Sequence, residues 1–333
     1  MNKALVTGGG GFVGLAVVRK LLAQGVEPLV VGRHRYPEVD RLGVETKVGD
    51  IRDRDFLTRA ACGCDAVFHV AAKAGIWGRR ADYFSINVAG SEAVLAACLA
   101  NRIETLVYTS TPSVVFASHD LCGVDERTPR ARHFLCHYAA SKALAEERLL
   151  QANGPRLRTV ALRPHLVWGP GDNNLIPRLV ERGRRGGLQQ VGDGTNLVDI
   201  AYIDNVADAH WLAAKNLQST ATAAGQAYFI SQGEPVRLWG WVNGLFAGLG
   251  IPPVVRRVGF RQAYAVGAVL EGVYRLLGRR SEPVMTRFLA QQLAKSHWFS
   301  IDAARRDLGY EPRVSTEEGM RRLLAWLLAG EGG

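Results

Sequence analysis

Apolar residues run together at Lys3-Ala4-Leu5-Val6-Thr7, stop at four consecutive glycines, Gly8 to Gly11, and return with helical spacing from Phe12 to Gln24. This pattern predicts a short buried strand, a tight turn and an amphipathic helix closed by Gly25. Further apolar strands are predicted over Glu27 to Gly32, around Glu45 to Val48, over Asp65 to Val70 and over Glu104 to Thr109. A long helix from Tyr83 to Ala100 carries Val88, Leu95, Ala96 and Leu99 on one face, and another helix opens at Tyr138 and runs to about Gln151. Strands alternating with helices at this spacing require a parallel sheet covered on both faces, which is a doubly wound α/β fold. No repeat or low-complexity tract interrupts it.

From Leu175 onward the even alternation gives way to mixed short segments. An arginine-rich helix is predicted over Ile176 to Arg185, a strand around Asn196 to Tyr202, and a helix over Asp204 to Asn216 with Asp204 as its N-cap. Ser315 with Glu318 forms a capping box for a last helix to Leu328. Between them, Phe260, Tyr264, Val266, Val269, Leu270, Val273, Tyr274 and Leu277 form a broad apolar face on a helix over Gly259 to Leu277. Glu271 and Arg275 interrupt it too soon for a bilayer span. Three readings stand open: a helix buried in its lobe, a helix that binds a partner, or one lying on a membrane surface beside Arg256-Arg257 and Arg279-Arg280.

The first chemistry lies in the glycine turn. Gly8, Gly11 and Gly14 follow the spacing Gly-x-x-Gly-x-x-Gly between a strand and a helix, the opening of a Rossmann-type dinucleotide site. One glycine lets the backbone turn, one lets a pyrophosphate approach, and one lets the helix pack on its strand. The free amides at the helix start, at Phe12 and Val13, then face the phosphates. After the second strand an NAD site usually places an acid for the ribose hydroxyls, whereas this chain has Gly32-Arg33-His34-Arg35. Arg33 suits a 2′-phosphate, so NADP(H) is the predicted cofactor. Asp50, followed by Ile51, is placed to accept from the adenine amino group. The small pair Ala71-Ala72 after the fourth strand lets backbone and cofactor approach.

Composition narrows the class. The chain has 333 residues, 47% apolar and 22% charged, as expected of a globular protein with a large core; only Gly330 to Gly333 reads as disordered. The net charge of +10 is spread over short arginine pairs without a long basic tract, so it reads as a solvated basic surface with no nucleic-acid partner. Five cysteines without framework spacing argue against a disulfide-stapled secreted fold, and no metal site is predicted. The first strand begins at once, which leaves no room for a signal peptide and predicts a cytoplasmic protein.

The chemical centre follows the fifth strand. Tyr138-Ala-Ala-Ser-Lys142 places a phenol and an ammonium one helical turn apart on one face. A positive charge about 4 Å away, at an effective dielectric near 20, is worth roughly 4 kcal/mol and is expected to pull the phenol's pKa down from about 10. Tyr138 then serves as general acid in a reduction and general base in an oxidation. The turn Thr109-Ser110-Thr111-Pro112-Ser113 supplies hydroxyls for the other side of a reacting oxygen.

Taken with Asn87 and Arg163-Pro164, these stretches resemble the extended short-chain dehydrogenase/reductase superfamily over nearly the whole chain. The runs "VFHVAAKAGIWG", "INVAGSE", "VYTSTPSVVF", "HYAASKALAEE" and "LRPHLVWGPGD" look most like the branch of 3β-hydroxysteroid and sterol-4-carboxylate dehydrogenases. Gly75-Ile76-Trp77-Gly78 and Thr111 to Phe116 are similar to the bacterial 2-alkyl-3-oxoalkanoate reductases of long-chain olefin biosynthesis. The resemblance implies that residues 1–174, with returns from 188–230, bind NADP and that 175–333 form mainly a smaller C-terminal substrate lobe. It also implies that Tyr138 transfers the proton, that Lys142 holds the nicotinamide ribose, and that the segment at Pro164 meets the carboxamide. The family's serine falls on Thr111, with Ser110 and Ser113 as alternatives. Asn87 matches an asparagine beneath the site or is a helix-packing amide.

The reaction so implied is NADPH-dependent, reversible reduction of a 3-oxo group on a long-chain 2-alkyl-3-oxoalkanoic acid. A lipid-like substrate suits Trp77, Trp168, Phe260 and Tyr264, and Arg163, Lys73 and Arg79 are candidates for its carboxylate. A homodimer through the helices from Tyr83 and Tyr138, and association with other olefin-pathway enzymes, are implied in the same way. Steroid or sterol-acid dehydrogenation is the nearest alternative. Arg33 and the lack of an acid within Thr109 to Ser113 argue against a nucleotide-sugar epimerase or dehydratase, and the presence of both Tyr138 and Lys142 argues against a non-catalytic NADP-sensing regulator.

Overall fold

In a computed structural model that describes residues 1–116 and 119–330, the chain is built on a seven-stranded parallel sheet. The expectation for the C-terminal glycines lies, beyond Gly330, outside the described residues. The strands β1 (Lys3–Thr7), β2 (Glu27–Gly32), β3 (Thr46–Val48), β4 (Ala66–His69) and β5 (Thr105–Thr109) are joined by Arg158–Pro164 and Gln226–Ile230. Their order across the sheet is Gln226–Ile230, Arg158–Pro164, β5, β4, β1, β2, β3. The chain therefore winds outward from β1 to β3, then returns to β4 on the other side of β1. That reversal opens a crevice at the carboxyl ends of β1 and β4, where doubly wound sheets bind their ligands.

Side-chain alternation divides each strand between two cores. Ala4 and Val6 of β1 face Val17, Val18 and Leu21 of α1 (Phe12–Ala23) and the helix Ile203–Leu217, whereas Leu5 faces Leu57, Val94 and Cys98 on the opposite side. Both faces are covered, which is why the strands read as nearly continuous apolar runs. The long helix runs from Arg80 to Ala100, starts earlier than expected, and carries a π-helical turn over Ser85–Ala89. It is long and apolar enough to cross a membrane by length and composition, but half of it is buried in the molecule, with Val88, Val94, Ala97 and Cys98 against the protein.

The C-terminal half differs from expectation in four places. The strand over Asn196 to Tyr202 is two strands: Leu197–Val198 joins a four-stranded sheet with Val236–Arg237, His297–Phe299 and Leu121–Val124, and Ala201–Tyr202 pairs with Val167–Trp168. The cap of the next helix is Tyr202, and Asp204 lies in its first turn without capping it, paired with Arg322 at 3.3 Å. Only half of the Ser315 capping box forms. The Glu318 amide donates to Ser315 Oγ at 3.2 Å, while the Glu318 carboxylate binds Arg321 and Arg322. Finally, the helix Phe260–Leu276 buries Ala263, Gly267 and Glu271, and its valines face outward.

Candidate active site

The glycine turn after β1 is sterically determined. Gly8 has φ +71°, and a Cβ there would lie 2.8 Å from Ala71 Cα after β4; a Cβ on Gly14 would lie 2.1 Å from the Gly8 carbonyl oxygen. These two glycines fit the turn and the helix–strand approach. Gly11 is different, because its φ is −83° and its Cβ would meet Gly8 O at an ordinary 3.4 Å. Its bareness matters only to something arriving from outside. No side chain caps α1, and no acid occupies its first turn, so the amides at Phe12 and Val13 are left to an anion. The residues present fit a dinucleotide pyrophosphate.

At the end of β2, Arg33 and His34 are exposed, and Arg33 has no carboxylate partner among the described residues. Asp50 is gripped by Arg52, which approaches its two oxygens at 2.9 and 2.5 Å and holds the carboxyl below its ordinary range. The sequence reading missed Arg52, two residues beyond a residue it had singled out. It also missed Tyr36, whose ring fills the space a Cβ on Gly10 would occupy.

Helix His137–Gln151 presents Tyr138 and Lys142. Lys142 Nζ donates to the carbonyl of Thr109 at 2.6 Å and lies 4.1 Å from the Tyr108 ring centroid. Burial pushes the Tyr138 phenol up to about 12, opposed by hydrogen bonding with the Thr111 hydroxyl. The same burial drops the Lys142 ammonium to about 7, opposed by the charge of Glu146. The expected lowering of the phenol by its lysine is thus not found: burial raises it, and the opposing influence is the Thr111 hydroxyl. Of the three candidate hydroxyls, Ser110 is committed to Glu146 Oε2 at 2.6 Å, and Thr111 and Ser113 stand 3.2 Å apart.

Glu146, eight residues after Tyr138 and four after Lys142, is a third residue that was missed, although helical spacing puts it on the same face. It is fully buried and takes both arms of Arg163, at 2.9 and 2.6 Å. This removes Arg163 as a carboxylate receptor. Asn87 lies in the π-turn and does not line the cavity: its amide accepts from Lys73 N at 2.6 Å and donates to Lys73 O at 3.1 Å and Ser141 Oγ at 2.9 Å. It ties the loop after β4 to the helix of Tyr138. Beneath them His69, held between Thr7 and Ser91, stays neutral because burial lowers it to about 3.

All the residues assigned to the site meet in one cavity of about 930 Å³. Gly8, Gly11, Phe12, Val13, Gly14, Arg33, Asp50 and Ile51 line one end, Ala71, Ala72, Thr111, Tyr138, Lys142 and Pro164 the middle. The remaining walls carry the apolar Ile76, Leu175, Leu179, Leu188, Phe288 and Leu293 among polar side chains such as Glu282 and Gln292. Lys73, Arg178 and Arg182 also line it; Arg79 does not. Trp168 is instead core, fully buried edge-on against Tyr202 and Trp241, and Trp77, Phe260 and Tyr264 are half-buried outside the cavity.

Comparison with known proteins agrees with this geometry. The 3-beta hydroxysteroid dehydrogenase/isomerase family matches residues 5–257. The 2-alkyl-3-oxoalkanoate reductase of Shewanella oneidensis is 52% identical over 98% of this chain and 87% of its own, and that of Stenotrophomonas maltophilia is 51% identical over 97% and 98%. Among solved structures, a dTDP-glucose 4,6-dehydratase double mutant from Streptomyces venezuelae, with NAD bound, superposes with a TM-score of 0.76 at 26% identity, covering 99% of this chain and 98% of that one.

Proposed function

The chain belongs to the 3-beta hydroxysteroid dehydrogenase/isomerase family and is an oxidoreductase, and from that premise we propose that it reduces the 3-oxo group of a long-chain 2-alkyl-3-oxoalkanoic acid to the 3-hydroxy acid, reversibly, with NADPH. The observation that carries this reading is the continuity of the cavity. It passes from the cation at Arg33, along the glycine turn and past Tyr138 and Thr111, to the walls that carry Ile76, Leu179 and Phe288. The two bacterial reductases, at about half identity over nearly the full chain, support the substrate class.

Bound NADPH would supply the hydride. The protein's part is to hold the substrate's oxygen between the Tyr138 phenol and the Thr111 hydroxyl, to deliver the proton from Tyr138, and to keep water out with its apolar walls. Gly8, Gly11, Gly14 and the amides at Phe12 and Val13 would bind the pyrophosphate, Arg33 the 2′-phosphate, Lys142 the ribose, and Ala71, Ala72 and Pro164 the nicotinamide end. The phosphates of the cofactor would also favour the charged form of Lys142, which burial alone disfavours. The carboxylate of a 3-oxo acid lies two carbons from the reacting carbon, so its receptor must sit near Tyr138. Lys73, on the cavity-lining loop after β4 and tied through Asn87 to the Tyr138 helix, is the candidate that meets this.

The same reading makes it a cytoplasmic enzyme that acts as a homodimer through the Arg80–Ala100 and His137–Gln151 helices and associates with other olefin-pathway enzymes. The chemistry is tested by following the reduced-nicotinamide absorbance with purified protein, a long-chain 2-alkyl-3-oxo acid, and NADPH or NADH. Consumption faster with NADPH, reversed with the 3-hydroxy acid, is the expected result. No change in either direction by protein that binds the cofactor tightly would overturn the substrate and turn attention to a sterol acid.

A further inference from the structure

The helix Phe260–Leu276 sits on the molecule by its least apolar side. Gly267 packs so closely that a Cβ there would lie 2.6 Å from the Thr286 carbonyl carbon, and the buried Glu271 binds Arg287 through its amide at 2.8 Å and its guanidinium at 2.8 and 3.0 Å. The opposite side carries Val266, Val269, Val273 and Leu276, spaced three, four and three residues apart, and Leu277 follows at once. Leu276 is 87% exposed and Val269 64%. Isolated apolar residues at a surface are ordinary, but a continuous stripe on one helix marks a face that something covers.

The charges around the stripe indicate what covers it. Over residues 252–281 the exposed charged side chains are Arg256, Arg257, Arg261, Arg275, Arg279 and Arg280; the one acid in the segment, Glu271, is buried and paired. A second copy of the chain would bring the same arginines against these, at a cost in repulsion. An apolar helical stripe flanked by these arginines, with the next acid, Glu282, held by Arg178, is complementary to acyl chains beneath anionic headgroups.

The position is equally specific. The loop whose Lys73, Gly75 and Ile76 line the cavity continues to Trp77, which lies edge-on to Tyr274 at 6.2 Å and donates to the Arg279 carbonyl at 3.2 Å. Glu282, just after the helix, pairs with Arg178 at 2.6 Å, and both line the cavity. The C-terminal end of the helix therefore borders the cavity. We propose that this face docks on an anionic lipid bilayer and sets the cavity mouth at the membrane surface, where a long-chain amphiphile resides. The docking is independent of the reductase assignment and is read without substrate.

The test is co-sedimentation of the full chain with vesicles of phosphatidylcholine alone or mixed with phosphatidylglycerol, at low and high salt. Binding to the mixed vesicles roughly tenfold above the neutral ones, weakening with salt, is expected. Val269→Asp with Leu276→Asp should abolish it, and Arg279→Glu with Arg280→Glu should remove the anionic preference, both with unchanged melting temperature, since these side chains are exposed. Absence of vesicle binding overturns the proposal, as does binding that the aspartate pair leaves intact. It is equally overturned if the wild type binds no vesicles but forms, by light scattering, a larger species or a complex with another protein that the aspartate pair dissolves.

Discussion

Lys142 spends its short hydrogen bond, 2.6 Å, on the carbonyl of Thr109, the last residue of β5, so the base of the turn bearing Thr111 is fastened to the helix bearing Tyr138. The bond fixes the distance between two elements that come together only in the folded chain. It also places a cation where burial opposes its charge. The folded protein holds the Lys142 proton with a pKa of about 7, against 10.5 ordinarily. Between those values the unfolded chain binds a proton that the folded chain does not, so stability rises with pH there; below about 7 the penalty is complete. Melting temperatures of the cofactor-free protein measured from neutral pH to pH 10 should rise accordingly, and Lys142→Met should flatten the rise. An unchanged slope in the variant would assign the titration to another group.

Tyr138→Phe removes the proton donor but leaves the glycine turn and Arg33 untouched. Turnover should fall roughly a thousandfold, within the range ascribed to general acid–base groups, while NADPH affinity measured by fluorescence stays close to wild type. Thr111→Ser should keep most of the activity and Thr111→Val should lose it, because Ser110 is held by Glu146 and cannot substitute. Full activity in Thr111→Val would move the role to Ser113.

Arg33 has no ion-pair partner among the described residues, whereas Arg52 is closed on Asp50. Arg33→Asp should therefore shift the ratio of kcat/KM values from NADPH towards NADH. The related dehydratase was solved with NAD, which makes the comparison informative. A ratio that does not move would place the 2′-phosphate elsewhere.

Glu146→Gln leaves Arg163 charged and 95% buried without its carboxylate, since its side chain is 5% exposed. Removing one partner of such a pair costs about 3 kcal/mol or more, which urea unfolding would register as a lowered midpoint. Glu146→Gln combined with Arg163→Met should recover part of the loss, because no unpaired charge then remains. Equal midpoints for the single variant and the wild type would show that the ion pair adds nothing to stability, since Arg130, 3.3 Å from the same carboxylate, loses its partner too and cannot compensate.

Five of the sheet's seven strands were legible because they are buried on both faces and read as unbroken apolar runs, each beginning and ending within a residue of the expected place; Arg158–Pro164 and Gln226–Ile230 were not anticipated. The cavity was legible because the glycine turn, the hydroxyl turn and the tyrosine helix all sit at the ends of such strands. What escaped depends on contacts between distant segments. Periodicity does not tell that Val198 pairs with His297 while Ala201, three residues on, pairs with Val167. Nor does it tell which side of the Phe260–Leu276 helix turns inward, a choice made by Gly267 and by the ion pair of Glu271. Nor does it mark Glu146, on the Tyr138 helix, as the partner of Arg163 on the strand Arg158–Pro164.

The π-turn at Ser85–Ala89 has one more implication. It lets Asn87 reach Lys73 and Ser141 on one side while Tyr83, a turn earlier, sends its hydroxyl to the carbonyls of Gly75 and Trp77, each at 2.9 Å. Deleting a single residue from it would give a more regular helix, yet would rotate everything before it by about 100°. Length within this turn is thus less negotiable than side-chain identity, and substitutions there should be tolerated better than a one-residue indel.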